Sequence, residues 1–167
     1  WMKTRKNILL PPVVKQSRAQ PSRSAKTKSL ATALPESAET KTLHYQQDSI
    51  HDFALFASKD FMVNSDTLRL PSGRIIHVAS FYNPAHKNIW SESVRYAKDA
   101  LRFYSAALGE YPYAVATVVQ GPESMGGGME YPTITVIAPT GTAQELDGLI
   151  AHELGHNWFY GILASNE

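Results

Sequence analysis

The segment Thr142–His156 reads TAQELDGLIAHELGH and carries the pattern of one amphipathic helix. Thr142 and Glu145 stand at the spacing of a capping box, in which each side chain accepts a hydrogen bond from the other residue's backbone N–H. The helix is therefore predicted to begin at Thr142. Apolar residues recur at every fourth position and predict a buried stripe that continues to about Tyr160: Leu146, Ile150, Leu154 and Trp158.

Two histidines, His152 and His156, stand four residues apart on another face of this helix, and Glu153 follows the first. Four residues are about one helical turn, so both imidazoles can point at a single ion. Glu153 is offset by about 100° around the axis, where its carboxylate can reach a water on the ion rather than the ion itself. This pattern predicts zinc on His152 and His156, with Glu153 as the general base for attack of water on a peptide carbonyl.

Two histidines that fall four apart by chance would give the same spacing, so the motif needs its context. The other histidines have no second ligand at metal-binding spacing and are predicted to be structural or solvated: His44, His51, His77 and His86. Glu145 precedes His152 by two turns, where it could orient a metal ligand. We favour the alternative, a first-turn carboxylate that complements the helix dipole. Glu123 and Asp147 have no clear role in the sequence.

The sequence upstream alternates strand and helix patterns. Apolar and β-branched runs predict strands at 67–70, 74–79, 114–119 and 133–137, with a turn at 71–73. Apolar residues spaced by three and four from Trp90 to Leu108 predict one long helix that ends at Gly109. Strands that precede and alternate with helices indicate an α+β fold.

Composition limits the kinds of site that the chain can build. The 167 residues include no cysteine, so any metal is held by His, Asp, Glu or water. Residues 1–41 contain nine Lys or Arg and two Glu, whereas residues 42–167 contain seven Lys or Arg and thirteen Asp or Glu. We interpret 1–42 as a basic linker or arm, or the end of a preceding domain. Residues 15–41 contain no aromatic residues of the kind that stack bases on a nucleic-acid surface, and no apolar run in the sequence is long enough to span a membrane.

The motif and the sequence before it resemble the gluzincin aminopeptidases typified by aminopeptidase N. The resemblance rests on HELGHNW at 152–158, preceded by GGME at 127–130, and covers residues 43–167. It implies the front half of a thermolysin-like catalytic domain, with a mixed sheet, an edge strand and an active-site helix. The implied activity is zinc-dependent removal of a residue from the free N-terminus of a peptide.

In that family the Gly-x-Met-Glu segment lies beside the substrate. The resemblance implies that Glu130 holds the substrate's N-terminal ammonium and that three residues line the cleft: Gly127, Gly128 and Met129. Glycines let backbone approach a peptide closely, and a carboxylate is a suitable counter-ion for an amine. The usual Asn after the Glu is Tyr131 here, so an endopeptidase of the same clan stays open as an alternative.

The resemblance also implies a third zinc ligand, a Glu after a spacer of about eighteen residues beyond the second histidine, and an oxyanion-binding tyrosine further on. Only eleven residues follow His156. Glu167 would lie roughly 16 Å along a continuing helix, so we expect a truncated catalytic domain that binds zinc weakly and has little activity alone. Phe159 and Ile162 occupy the positions where a metzincin needs Gly and His, which excludes that class. A non-catalytic peptide-binding or scaffold relative stays open, although Glu153 favours an enzyme.

Overall fold

The structure is a computed structural model that describes residues 46–50 and 52–163. The predicted basic arm at 1–42, and the histidines His44 and His51, lie outside these residues. Five strands and three α-helices occur in the described part: β1 Met62–Arg69, β2 Ile75–Tyr82, α1 Lys87–Trp90, α2 Ser93–Leu108, β3 Val115–Gln120, β4 Gly128–Met129, β5 Ile134–Ile137 and α3 Ala143–His156. A 3₁₀ turn at Pro84–His86 precedes α1, and a π-helical turn at Asn157–Ile162 follows α3.

The strands form one mixed sheet in the order β1-β2-β3-β5-β4. β1 and β2 are an antiparallel hairpin closed by a turn in which Leu70 N–H donates to the Arg74 carbonyl at 2.8 Å. β2, β3 and β5 run parallel, and β4 returns antiparallel to β5, with Met129 opposite Val136. This arrangement confirms the α+β class, and β4 is the edge strand beside the parallel part of the sheet.

Helices α2 and α3 pack together on one face of the sheet over the main hydrophobic core. The apolar stripe of α3 is buried as predicted, with exposed fractions between 0% and 3%: Leu146, Ile150, Leu154 and Trp158. A smaller cluster of Ala54, Val119 and Ile134 covers part of the other face. The stripe therefore fixes which side of α3 is turned away from the core, and this is the side that carries the histidines.

The structure corrects the bounds of several predicted elements. The helix predicted from Trp90 to Leu108 begins at Ser93, and a turn at 91–92 separates it from α1, which ends at Trp90. At this break Ser93 Oγ lies 2.5 Å from the Trp90 carbonyl and 2.7 Å from Ser80 Oγ. β1 begins five residues earlier than predicted, at Met62. The first part of this strand is mostly polar and exposed, so it lacks the apolar run by which strands were predicted.

No helix among the described residues is long and apolar enough to cross a membrane.

Candidate metal centre

The start of α3 is set by the predicted capping box. Thr142 Oγ1 accepts a hydrogen bond from Glu145 N–H at 3.1 Å, and Glu145 Oε2 accepts from Thr142 N–H at 3.2 Å. The same carboxylate also accepts from Gly141 N–H at 3.0 Å. Glu145 therefore serves the helix N-terminus, as favoured from the sequence, and the alternative role of orienting a metal ligand is wrong.

His152 and His156 lie on one face of a continuous helix and point to a common position. Their Nε2 atoms are 3.3 Å apart, and the two rings meet nearly at right angles, at 87°. Zinc binds imidazole nitrogens at about 2.0–2.1 Å in a tetrahedron, which sets two such nitrogens about 3.4 Å apart. The same 3.3 Å separation of the Nε2 atoms also fits a hydrogen bond between the two rings, without an ion. The geometric expectation from the four-residue spacing is met, and the assignment of both rings as zinc ligands stays a prediction.

Glu153 is turned toward β4 and is buried, with 4% of its surface exposed. A Cβ atom built on Gly128 would overlap the Glu153 carboxylate, so this approach requires a residue without a side chain. The sequence suggested glycine at 128 for close contact with a peptide. In the structure, the space that a side chain at position 128 would fill is occupied by the carboxylate of Glu153, the candidate general base.

Glu130 follows β4 and reaches the same position as the α3 side chains. One ligand atom from each of Glu130, Glu153 and His156 lies within 4.8 Å of the others. The cluster therefore combines a residue after the edge strand with two residues of α3, and His152 adjoins it through the Nε2 contact with His156. These four residues are the ones that the sequence analysis singled out for catalysis, amine binding and metal binding.

The other two predicted cleft residues have more limited contacts. Gly127 has a positive φ of 71°, which favours glycine, and its carbonyl accepts a hydrogen bond from Ala138 N–H at 2.8 Å. The side chain of Met129 is 43% exposed, while its carbonyl accepts a hydrogen bond from Thr135 Oγ1 at 2.9 Å. Both residues hold the edge strand in place, and their contact with a substrate stays a prediction.

The donor set suits a borderline divalent ion. One imidazole, that of His156, and the carboxylates of Glu130 and Glu153 converge from α3 and the end of β4, and the His152 ring contacts His156 at 3.3 Å. The sequence contains no thiolate ligand. Imidazole with carboxylate is a combination that zinc accepts, and it is also open to other first-row divalent metals. The residues therefore fit the ion that the motif predicts, without selecting zinc by themselves.

Asn157, which is not among the predicted site residues, connects α3 to the loop after Glu130. Its side chain is 97% buried, and its Nδ2 donates to the Leu154 carbonyl at 3.1 Å. Its Oδ1 accepts from Thr133 N–H at 3.4 Å, a residue with a positive φ of 71°. A polar residue directly after the second histidine, at the end of an apolar helix, is a signal that could have pointed to this link.

Helix α2 also holds α3 in position. A Cβ on Gly155 would lie 2.9 Å from the Tyr104 hydroxyl, so the small residue inside the motif allows close packing of the two helices. Trp158 stacks at a tilt on Tyr104 and donates from Nε1 to the Gly109 carbonyl at 2.9 Å. Gly109, which was predicted to end α2, therefore also accepts a hydrogen bond from Trp158, two residues after His156.

Of the remaining histidines, His77 is exposed, as expected for a solvated residue. His86 differs because its ring contacts the side chain of Gln120, the last residue of β3, and that of Glu123, which follows β3. Its Nδ1 meets Gln120 Nε2, and its Nε2 lies 3.4 Å from Glu123 Oε1. The sequence places no second ligand at metal-binding spacing from His86, but the tertiary fold brings the Glu123 carboxylate within 3.4 Å of its ring.

Comparison with known proteins gives a likeness of fold. No protein-family model matches the sequence, and no curated protein matches it. Among solved structures, the chain is similar to the crystal structure of Legionella pneumophila aminopeptidase A in complex with aspartic acid, with a TM-score of 0.51 and 14% sequence identity. The match covers 59% of this chain and 13% of the length of the Legionella protein. An aminopeptidase thus contains a region folded like this one.

Proposed function

We propose that this chain contributes the zinc-binding and general-base part of a metallopeptidase, and that the enzyme is an aminopeptidase of the gluzincin type. The observation that carries the proposal is the convergence of the His152 and His156 Nε2 atoms, 3.3 Å apart, beside the cluster of Glu130, Glu153 and His156. The fold likeness to an aminopeptidase supports peptide hydrolysis in general, but neither zinc nor the gluzincin type. Residues 43–167 would form the front part of the catalytic domain, after a basic arm at 1–42.

His152 and His156 would hold the ion through nitrogen atoms presented from one helical turn. Zinc bound there would supply Lewis-acid polarisation of a peptide carbonyl and would lower the pKa of water toward about 7. Glu153 would act as the base that takes a proton from the attacking water and delivers it to the leaving amine. Its burial against Gly128 keeps the carboxylate in a defined orientation, which favours efficient proton transfer.

Glu130 would set the type of peptidase. Its carboxylate lies within 4.8 Å of Glu153 and His156 ligand atoms, so an ammonium group bound there would sit about one residue from the reacting carbonyl. A charge-assisted hydrogen bond between carboxylate and ammonium favours substrates with a free N-terminus. β4 is the edge strand of the described sheet, and an extended peptide would pair along that edge.

The test compares hydrolysis of alanyl p-nitroanilide with that of its N-acetylated form by the zinc-loaded full-length protein. We expect cleavage of the free amine only, a loss of about a hundredfold or more in kcat for Glu153→Gln, and a rise in KM for Glu130→Gln. Equal cleavage of internal bonds in N-blocked peptides would favour the endopeptidase alternative. Retained activity in Glu153→Gln would contradict the mechanism.

A further inference from the structure

The connection from β4 to β5 is a four-residue turn that begins directly after Glu130. Ile134 N–H donates to the Tyr131 carbonyl at 3.1 Å, Pro132 is the second residue of the turn, and Thr133, the third, has a φ of 71°. This is the pattern of a type II turn, whose third position favours glycine or asparagine. Threonine is β-branched, so it is strained in this backbone conformation. Such residues persist where the surrounding structure holds them, and they cluster at functional sites.

Two sets of contacts hold this turn in place. On one side, the Tyr131 ring packs against Phe56, with the ring centroids 6.2 Å apart, in the smaller cluster on the sheet face opposite the helices. On the other side, Asn157 Oδ1 accepts a hydrogen bond from Thr133 N–H at 3.4 Å, and Asn157 Nδ2 donates to the Leu154 carbonyl of α3 at 3.1 Å. The turn is therefore fixed both to the sheet and to the helix that carries the histidines.

The contact between Asn157 and Thr133 closes a short connection between two residues of the candidate centre. Asn157 directly follows His156, and Thr133 lies three positions after Glu130. One ligand atom of Glu130 lies within 4.8 Å of one of His156. A group that binds one end of a substrate must be held at a fixed distance from the reacting bond, because a shift of about 1 Å can cost a large part of the rate. The hydrogen bond between Asn157 and Thr133 can set that distance.

We propose that the turn at 131–134 orients the Glu130 carboxylate toward the N-terminal ammonium of a substrate, and that Asn157 is the positioning residue that holds the turn. Asn157 acts through the Thr133 backbone and needs no contact with a substrate. Without its hydrogen bond, Thr133 would relax toward a negative φ and would rotate the turn together with Glu130. This inference rests on the proposed aminopeptidase function, in which Glu130 binds the amine.

The first experiment measures hydrogen exchange of backbone amides in the nitrogen-15-labelled chain and in two variants. Asn157→Ala removes the acceptor of Thr133 N–H, and Gln120→Ala is the matched control. Gln120 is also a buried carboxamide, and its Oε1 accepts from Asn83 N–H at 2.9 Å, but it stands at the end of β3 and not at this turn. We expect exchange of the Thr133 amide to be about tenfold faster or more in Asn157→Ala than in Gln120→Ala.

The second experiment measures hydrolysis of alanyl p-nitroanilide by the zinc-loaded full-length protein. Asn157→Ala should raise KM by about fivefold or more and change kcat by less than about twofold, because the interaction that is lost is made in both the ground state and the transition state. Gln120→Ala should leave KM unchanged, although it also removes a buried hydrogen bond. A purely structural role of Asn157 would lower the urea midpoint without this difference between KM and kcat.

A second substitution tests whether the backbone of Thr133 transmits the effect. Glycine adopts a positive φ without strain, so a turn with Thr133→Gly does not depend on the Asn157 hydrogen bond. The double variant Asn157→Ala/Thr133→Gly should therefore recover a KM within about twofold of the unaltered protein. A KM that stays as high as in Asn157→Ala alone would assign the loss to the Leu154 contact in α3 and would overturn the proposal.

The remaining outcomes separate this inference from the proposed function. Exchange of the Thr133 amide at the same rate in Asn157→Ala and Gln120→Ala overturns the inference, whatever the activity. Faster exchange with an unchanged KM also overturns it and leaves the proposed function intact. Equal hydrolysis of the anilide and its N-acetylated form by the unaltered protein overturns the proposed function and, with it, the role of the turn toward an ammonium. Absence of hydrolysis contradicts the proposed function, while the exchange rates still decide whether Asn157 holds the turn.

Discussion

Gly128 and Glu153 are in such close contact that a Cβ atom on the glycine would overlap the glutamate carboxylate. The edge strand β4 and helix α3 meet at this point, between residues 25 positions apart in sequence. The absence of one side chain on β4 therefore decides where the candidate base lies. This contact connects the glycine-rich segment directly to the candidate base.

We predict that Gly128→Ala displaces the Glu153 carboxylate and lowers the kcat of the proposed peptidase by about a hundredfold, because a shift of about 1 Å in a catalytic group costs that much. Zinc affinity should fall far less, since the histidines are not moved. The measurement is steady-state hydrolysis of an alanyl anilide together with zinc titration. Gly126→Ala is the matched control, because a Cβ there has nothing within 4 Å and φ is not positive. Equal losses in the two variants would contradict the contact.

Asn157→Ala should destabilise the fold by about 1–3 kcal/mol, because it leaves the buried Leu154 carbonyl and Thr133 N–H without their side-chain partner. The measurement is urea-induced unfolding followed by circular dichroism. Asn88→Ala in α1 is the control, since Asn88 is exposed and a surface change of this kind stays within about 0.5 kcal/mol. A destabilisation of Asn157→Ala no larger than that of the control would mean that the link between α3 and the Glu130 loop contributes nothing.

Thr142→Ala should lower the free energy of unfolding by about 1 kcal/mol, within the usual range of about 0.5–2 for loss of an N-cap. The hydroxyl that accepts from Glu145 N–H would be gone, and the reciprocal bond of the capping box would be weakened. Thr142→Ser keeps an acceptor at the same position and should be close to the unaltered protein. If the serine variant loses as much stability as the alanine variant, the hydroxyl is not the cause.

Stability should depend on pH through Glu110, which holds the β1–β2 turn. Hydrogen bonds from the Ser72 hydroxyl, at 2.6 Å, and from its N–H keep the pKa of the Glu110 carboxyl below its ordinary value of 4.5. A folded-state pKa below the unfolded one stabilises the protein above the unfolded pKa, and this contribution is lost as pH falls through the folded pKa. The urea midpoints of the unaltered protein and of Glu110→Gln should therefore differ near neutral pH and converge as the pH drops below about 4.5.

Ser72→Ala serves as the second arm of that measurement, because it removes the donor with the largest effect on Glu110. It should show the same convergence with the unaltered protein at low pH. A difference in midpoint that stays constant across the titration would assign the effect to packing rather than to the charge of the carboxylate.

The sequence by itself determined the local features of this protein. The capping box at Thr142, the buried stripe on α3 and the shared face of His152 and His156 all follow from positions three and four residues apart. A single helical turn brings such residues together whatever the rest of the chain does. The strands at 114–119 and 133–137 and the α+β class were predictable for a similar reason, since apolar periodicity reports which faces are buried.

The family resemblance placed Glu130 in the same cleft as the helix, but only the tertiary structure decided how near it comes. The distance depends on β4 joining the sheet beside β5, with Met129 opposite Val136, and on α3 packing across that sheet. The same holds for Gly128 against Glu153 and for Asn157 against Thr133. Contacts between distant positions are set by strand order and register, because a shift of one residue would turn every side chain of the strand to the other face.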